Sequence, residues 1–459
     1  MFGIGYPNIV RIASPKAKIF RVMEGYPANG DVFGPPEPIL RSNNFDAKHE
    51  YACSMPTSTQ PQSSTVGIAM TPPQPMRPNI RTEWALDPTI AFLNHGCFGA
   101  RPRSVLDAQA MRRTEYEARP VEWLDRRRRQ LIDHAKVALG RFIGASPTNT
   151  GFVSNATAAI NAVLRSLTLK PGDELLTTTH VYNAVRMTMS YLAQRSGAKY
   201  IEAPVDLPLR SPQQVVDVIA GAITPRTRLV AIDHVTSPTA VIFPVEHILR
   251  ICSERGIDVL VDGAHAPGMI PLNIESLGAA YYAGNLHKWV CAPSGAGFLW
   301  VRPDKQQGVH PPTISHFLDQ GISEEFQWQA TRDITPWLCV EDSLAYMNHL
   351  GWDKVMRHNH QMAAWVQQML CDMWEVEPAT PLDGSMLGSM ATVLLPRQEH
   401  VRNRYGAPES LKAPIYDRYQ IEAPVIDWGG RWWIRASCQV YNTPDQYEKL
   451  GRAVLELID

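Results

Sequence analysis

From about residue 85 onward, short β-rich runs alternate with helical patterns. This alternation limits the possible folds more than any other feature of the chain. The runs are GFVS (151–154), ELLTT (174–178), RLVAID (228–233), DVLVD (258–262), AAYYAG (279–284) and GFLWV (297–301). After the first run, Ile160, Val163, Leu164 and Leu167 fall on one helical face. Strands separated by helices at this spacing predict an α/β domain with a largely parallel or mixed sheet. Beyond about residue 340 a long helical stretch, LAYMNHLGWDKVMRHNHQMAAWVQQMLCDMW, precedes the shorter strands ATVLLP and RWWIRAS. That order predicts a second, smaller α+β domain. The expected division is a large domain over 85–335 and a small C-terminal domain over 336–459, which suits a chain of 459 residues.

The first eighty residues have a different character. They hold twelve of the 37 prolines. The stretch PTSTQPQSSTVGIAMTPPQPMRP (56–78) has no amphipathic periodicity with which to bury a core. Residues 1–80 are therefore expected to be a flexible extension. Arg11, Lys16, Lys18 and Arg21 precede the first acid, Glu24, as in some transit peptides. The bland alternative is a non-functional leader, with Met76 available as a later start.

Composition excludes several classes. Lys and Arg number 44 against 45 Asp and Glu, so no global basic field recruits nucleic acid or an anionic membrane. The four-arginine run Arg126–Arg129 reads as a solvated or interface face. No apolar run is long enough for a membrane span. The seven cysteines form no CxxC pair, which argues against a disulfide framework or zinc knuckle and suits a cytoplasmic location. No metal site is expected, and GxGxxG, P-loop and HExxH motifs are absent.

The densest chemical signal spans residues 258–288. Asp262 closes DVLVD, facing the crevice where α/β sheets bind ligands. Lys288 follows 26 residues later in NLHKW, among the mostly apolar Trp289, Val290, Cys291, Ala292 and Pro293. Partial burial lowers a lysine pKa and makes the amine a usable nucleophile. A Schiff-base lysine with an aspartate for a pyridinium nitrogen is the pair that pyridoxal 5'-phosphate requires. A phosphate site is available in SNATAAINAVLRSL. There Asn155, Ala156 and Thr157 form the turn, and Thr157 sits at a helix N-terminus that favours an anion.

At this point the sequence resembles the class V aminotransferase family of fold-type I pyridoxal phosphate enzymes, in particular its isopenicillin N epimerase-like branch. The resemblance covers about residues 85–455. It is carried by FLNHGCFGARP (92–102), EARPVEWLDRR (117–127), SNATAAINAVLR (154–165), THVYNAV (179–185), VDGAHAPG (261–268), NLHKW (285–289), FQWQATRD (326–333) and WIRASCQVYNT (433–443). The resemblance implies that Lys288 holds the cofactor and moves protons at the substrate Cα, and that Asp262 pairs with the ring nitrogen. It places His265 near the ring hydroxyl and His287, Thr157 and the Ala156 or Thr157 backbone at the phosphate. His180 or Tyr182 would lie against the ring face, with Tyr182 also a candidate acid/base opposite Lys288. Arg435 would pair with the substrate carboxylate, and Asn94 and His95 would line the mouth of the site. Arg119 is a weaker candidate for substrate or subunit contacts. Thr331 would reach the neighbouring subunit's phosphate, implying a homodimer, although Ala330 stands where the family usually has Gly.

The implied reaction is epimerisation or racemisation at Cα, which needs an acid and a base on opposite faces. C–S lyase and transaminase chemistry are the alternatives within the family, and a non-catalytic binding protein is the alternative outside it. The desulfurase branch carries a mobile Cys that would fall within 410–426, and this chain has none there.

Overall fold

The computed structural model describes residues 71–459, so the proline-rich extension expected over 1–80 lies outside the described residues up to residue 70. The strands, in chain order, are β1 (Ala91–Phe92), β2 (Thr150–Val153), β3 (Glu174–Thr178), β4 (Lys199–Ala203), β5 (Thr227–Asp233), β6 (Asp258–Gly263), β7 (Tyr281–Asn285), β8 (Gly297–Val301), β9 (Met390–Leu394), β10 (Ile421–Glu422), β11 (Val425–Trp428) and β12 (Arg431–Ser437).

Seven of them form a central sheet in the order β2-β8-β7-β6-β5-β3-β4. Strands β7, β6, β5, β3 and β4 run parallel, while β8 is antiparallel to both of its neighbours. The inner strands are continuous apolar runs because helices cover both faces. Alternate residues therefore enter different cores. Leu176, Val230, Ile232, Val259 and Val261 pack into one cluster, and Leu175, Leu229, Ala231 and Leu260 into another. The mixed, mostly parallel α/β sheet expected from the strand–helix alternation is thus present. Within this sheet only β4 went unread in the sequence. Its KYIEA lies at the sheet edge and is largely part-exposed, so it has no apolar run to betray it.

A second layer holds the antiparallel sheet β11-β12-β9 and the parallel pair β1-β10. Helices Trp352–Trp374 and Pro444–Ile458 pack together and enclose its core with β9. Division by residue number is not division by core. Ala91 and Leu93 belong to the C-terminal core, whereas Trp337, Leu338, Val340 and Leu344 belong to that of the central sheet. The packed structure also starts before residue 85. Ile80 and the fully buried Trp84 sit in a small cluster with Val355 and Tyr441, against which Met76 rests.

Two features of this fold set the site. Asp233, the last residue of β5, and Asp262, the last but one of β6, are register partners on adjacent parallel strands. The strand β12, from the other layer, delivers Arg435 towards the same crevice.

Candidate active site

A cleft of about 230 Å³ opens at the carboxyl ends of β5, β6 and β7. Strand ends contribute Asp233, Asp262 and Asn285, and the following turns add Ala264, His265, His287 and Lys288. Asn155, Ala156, Thr157, Cys97, Phe98, Tyr182 and Ser237 complete the lining. The cleft thus gathers Lys288, Asp262, His265, His287, Asn155, Ala156, Thr157 and Tyr182 from the predicted set.

The half-buried Lys288 places its Nζ 3.0 Å from His265 Nε2. Desolvation, then the nearby Arg435 guanidinium, push its amine down from 10.5 to about 8, with Asp262 opposing. His265 is held well below its ordinary value, first by burial and then by Lys288. The indole N–H of Trp289 donates to His265 Nδ1 at 3.5 Å. With the indole of Trp289 at Nδ1, Nε2 is the ring nitrogen of His265 that meets the lysine amine.

Asp262 accepts the N–H of Ala264 at 2.9 Å. Burial raises its carboxyl, against the opposing pull of that hydrogen bond and of Lys288. Asp233 is raised further, by burial and then by Asp262, and its Oδ2 is buried without a hydrogen-bond partner. Two acids side by side in a dry crevice favour a cationic partner.

The phosphate-like end is built at the N-terminus of helix Ala156–Ser166. Asn155 caps it, accepting the N–H of Ala158 at 2.9 Å. Asn285 Oδ1 accepts the N–H of Ala156 at 2.8 Å, so that backbone group is already engaged. Neither interaction takes the N–H of Thr157 between them. His287 Nδ1 lies 3.3 Å from the Ala296 carbonyl, and burial drops its pKa to about 4. The approach depends on Gly297, where a Cβ would meet Asn155 Cα at 2.7 Å.

Four predicted residues, Thr331 among them, lie elsewhere. His180 does not face the cleft. It is fully buried, with Nε2 donating to the Val205 carbonyl at 2.9 Å and Nδ1 2.6 Å from Thr239 Oγ1, and its ring packs on Trp428 and Phe243. Of the two ring-face candidates, only Tyr182 borders the cleft; it is 46% exposed. His95 does not line the mouth either. Its Nε2 donates to the Lys288 carbonyl at 3.0 Å and its Nδ1 sits 2.8 Å from the Tyr441 hydroxyl, so it holds the lysine turn from behind. Asn94 borders a neighbouring cleft instead.

Arg435 is 3% exposed, and its guanidinium donates to the Ser237 carbonyl and, at 3.1 Å, to Cys97 Sγ. Both partners line the cleft. Thr331 lines a separate groove with Phe317 and Trp328, and Ala330 before it keeps the glycine-like φ of 65°. Sequence reasoning missed Asp233, Asn285, Ser237 and Cys97. Asp233 did leave a signal, since it ends RLVAID as Asp262 ends DVLVD. Cys371 and Cys438, buried in or beside secondary structure, do not border this cleft.

Fold and site together define an α/β chain whose cleft at the sheet's carboxyl ends gathers a lysine, two acids and the N-terminus of a helix. The Aminotransferase class-V family model matches residues 99–401, and the chain belongs to that family. Among characterised relatives, it is 31% identical over 398 residues to the isopenicillin N epimerase of Amycolatopsis lactamdurans, covering 83% of this chain and 98% of that one. It is 30% identical to an L-cysteine desulfhydrase of Arabidopsis thaliana, covering 83% and 90%. In structure it is similar to a cysteine desulfurase from Thermococcus onnurineus, with a TM-score of 0.70 at 21% identity over 84% of this chain and 99% of that one. It is also similar to the cystine C–S lyase C-DES, with a TM-score of 0.68 at 21% identity over 81% and 98%. Both likenesses show the fold.

The cofactor of this family is pyridoxal 5'-phosphate, and the residues present fit it. The raised, adjacent Asp262 and Asp233 suit a protonated ring nitrogen, the lowered Lys288 suits attack on an aldehyde, and the Thr157 turn suits a phosphate.

Proposed function

We propose that this protein is an isopenicillin N epimerase-like isomerase that inverts or racemises the Cα of an amino acid. The observation that carries the reading is the shared cleft of Lys288 and Tyr182. The tyrosine is 46% exposed at its edge, free to meet a substrate, while the lysine amine lies inside against His265. The bound cofactor supplies an electron sink for the pair left at Cα when a bond there breaks. Lys288 takes or returns the proton at Cα, and His265 steadies the uncharged form of its amine. Tyr182 does the same work from the other side. Asp262 holds positive charge at the ring nitrogen, and Arg435 orients the substrate carboxylate once it exchanges its Ser237 and Cys97 partners for it.

Assembly as a homodimer belongs to the same proposal. Thr331 does not border the Lys288 cleft of its own chain, so a role for it at a phosphate requires a second copy.

The C–S lyase reading has support of its own in the L-cysteine desulfhydrase relative. A panel of L- and D-amino acids in heavy water separates the two. Formation of the opposite enantiomer with deuterium at Cα supports the isomerase. Pyruvate and sulfide from cysteine without inversion would replace it with the lyase, and stoichiometric keto acid with an aminotransferase.

A further inference from the structure

Asp233 follows the apolar run 229–232 at the end of β5 and is 2% exposed, yet it lines the Lys288 cleft. Its register partner Asp262 lines the same cleft and is 7% exposed. Register partners on neighbouring strands send their side chains to the same face of a sheet, with the strands about 5 Å apart. The two carboxyls therefore stand side by side in a nearly dry place.

No cation settles the pair from within the chain. Among the described residues, no ion pair reaches either acid. Arg186, whose charge acts on Asp233, is held by Glu202 at 2.5 Å, and Lys288 Nζ meets His265 at 3.0 Å. The two acids also differ in their donors. Asp262 Oδ1 accepts the N–H of Ala264 at 2.9 Å, whereas Asp233 Oδ2 is buried with no hydrogen-bond partner. A buried carboxylate oxygen without a donor is costly, and more so beside a second carboxylate. A carboxylic acid in the same place brings its own donor, and the neighbouring carboxylate is a ready acceptor. Burial and then Asp262 raise the Asp233 carboxyl well above its ordinary range, and the pull of its own N–H does not offset them.

We propose that Asp233 stands in the loaded site as an uncharged acid and donates its O–H to Asp262. It is then a positioning residue, acting on the cofactor only through its neighbour. The pair carries one negative charge, which matches the one positive charge at the ring nitrogen. Two carboxylates would leave a charge unbalanced in a dry crevice. The donated bond also orients Asp262 and steadies its charged form. The proposal rests on the reading that Asp262 meets the ring nitrogen.

The test is the chemical shift of an isotope-labelled ring nitrogen in the holoenzyme, which reports whether that nitrogen is protonated, read together with cofactor affinity. Asp233→Asn keeps an uncharged donor and is expected to leave the ring nitrogen protonated, with affinity within about threefold. Asp233→Val suits a strand but has no donor. It is expected to move the shift towards the unprotonated value and to weaken affinity at least about tenfold. Asp262→Asn is expected to lose the protonated signal. Asp233→Thr, with an uncharged O–H, replaces the Asn protein if that one does not fold. An infrared difference spectrum between the unmodified holoenzyme and Asp233→Asn is expected to show the carbonyl stretch of a protonated carboxyl, and its absence overturns the proposal. Loss of the protonated signal in both Asn proteins would show that Asp233 carries a needed charge, and would overturn the proposal alone. So would a Val protein that matches the Asn protein. Retention of the signal in Asp262→Asn overturns the Asp262 reading and this proposal with it.

Discussion

Lys288 can act as a nucleophile near neutral pH because its surroundings disfavour its charge. Burial and Arg435 lower its pKa to about 8. At pH 7 about one amine in ten is then uncharged, against a few in ten thousand for an ordinary lysine. Only the uncharged amine attacks an aldehyde. The rate at which apoprotein takes up pyridoxal phosphate should therefore rise about tenfold per pH unit below pH 8 and level off above it, as followed by absorbance in rapid mixing. A rise that continues towards pH 10 without levelling off would mean that the amine is not lowered. Asp262 should be needed for its charge rather than its shape. Asp262→Asn is expected to keep the cofactor but lose at least about a hundredfold in α-proton exchange, roughly 2.7 kcal/mol of transition-state stabilisation. Near-normal exchange at full occupancy would remove Asp262 from the ring nitrogen. Tyr182→Phe is expected to slow exchange from one enantiomer by about a hundredfold and spare the other, as measured by deuterium incorporation into each. Equal slowing of both would make Tyr182 a packing residue.

At the scale of elements, the phosphate end of the site depends on a strand approaching a helix cap. Gly297, at the start of β8, leaves no room for a Cβ beside Asn155. Gly297→Ala should push that turn away and weaken cofactor binding at least about tenfold, as read by equilibrium dialysis. Unchanged affinity would mean that the turn has slack. This end of the site was legible in the sequence, because strand–turn–helix order and an apolar helical face are local patterns. Asp262 and Lys288 were legible for the same reason, as polar residues at the ends of apolar strands. His265 and His287 do line the cleft, but the other two histidines do not. His180 and His95 stand in motifs that suit a pocket, yet their partners come from Val205 and Thr239 in one case and Tyr441 and Lys288 in the other. Nothing local to a histidine announces a hydrogen bond to a residue 346 positions away. Cys97 was equally hidden, since its role depends on Arg435 arriving from β12.

Across the whole molecule, the cleft draws on segments far apart in the chain, and the packing behind it is shared. Trp84 lies in the cluster that contains Tyr441, and Tyr441 hydrogen-bonds the His95 that holds the Lys288 carbonyl. The residues just after the proline-rich stretch are thereby tied to the lysine turn. Trp84→Ala should cost about 3–5 kcal/mol of stability in a denaturant titration, as for a large buried aromatic, and a loss under about 1 kcal/mol would show that the segment is dispensable. A chain that begins at Met76 keeps Ile80 and Trp84, and it is expected to fold and bind the cofactor like the full chain. The claim on which the rest depends is that one lysine carries the cofactor. Purified protein reduced with borohydride, digested and examined by mass spectrometry should carry a phosphopyridoxyl group on Lys288, and the Lys288→Ala protein should carry none while remaining folded. A label on another lysine, or an undiminished label in Lys288→Ala, would contradict the account.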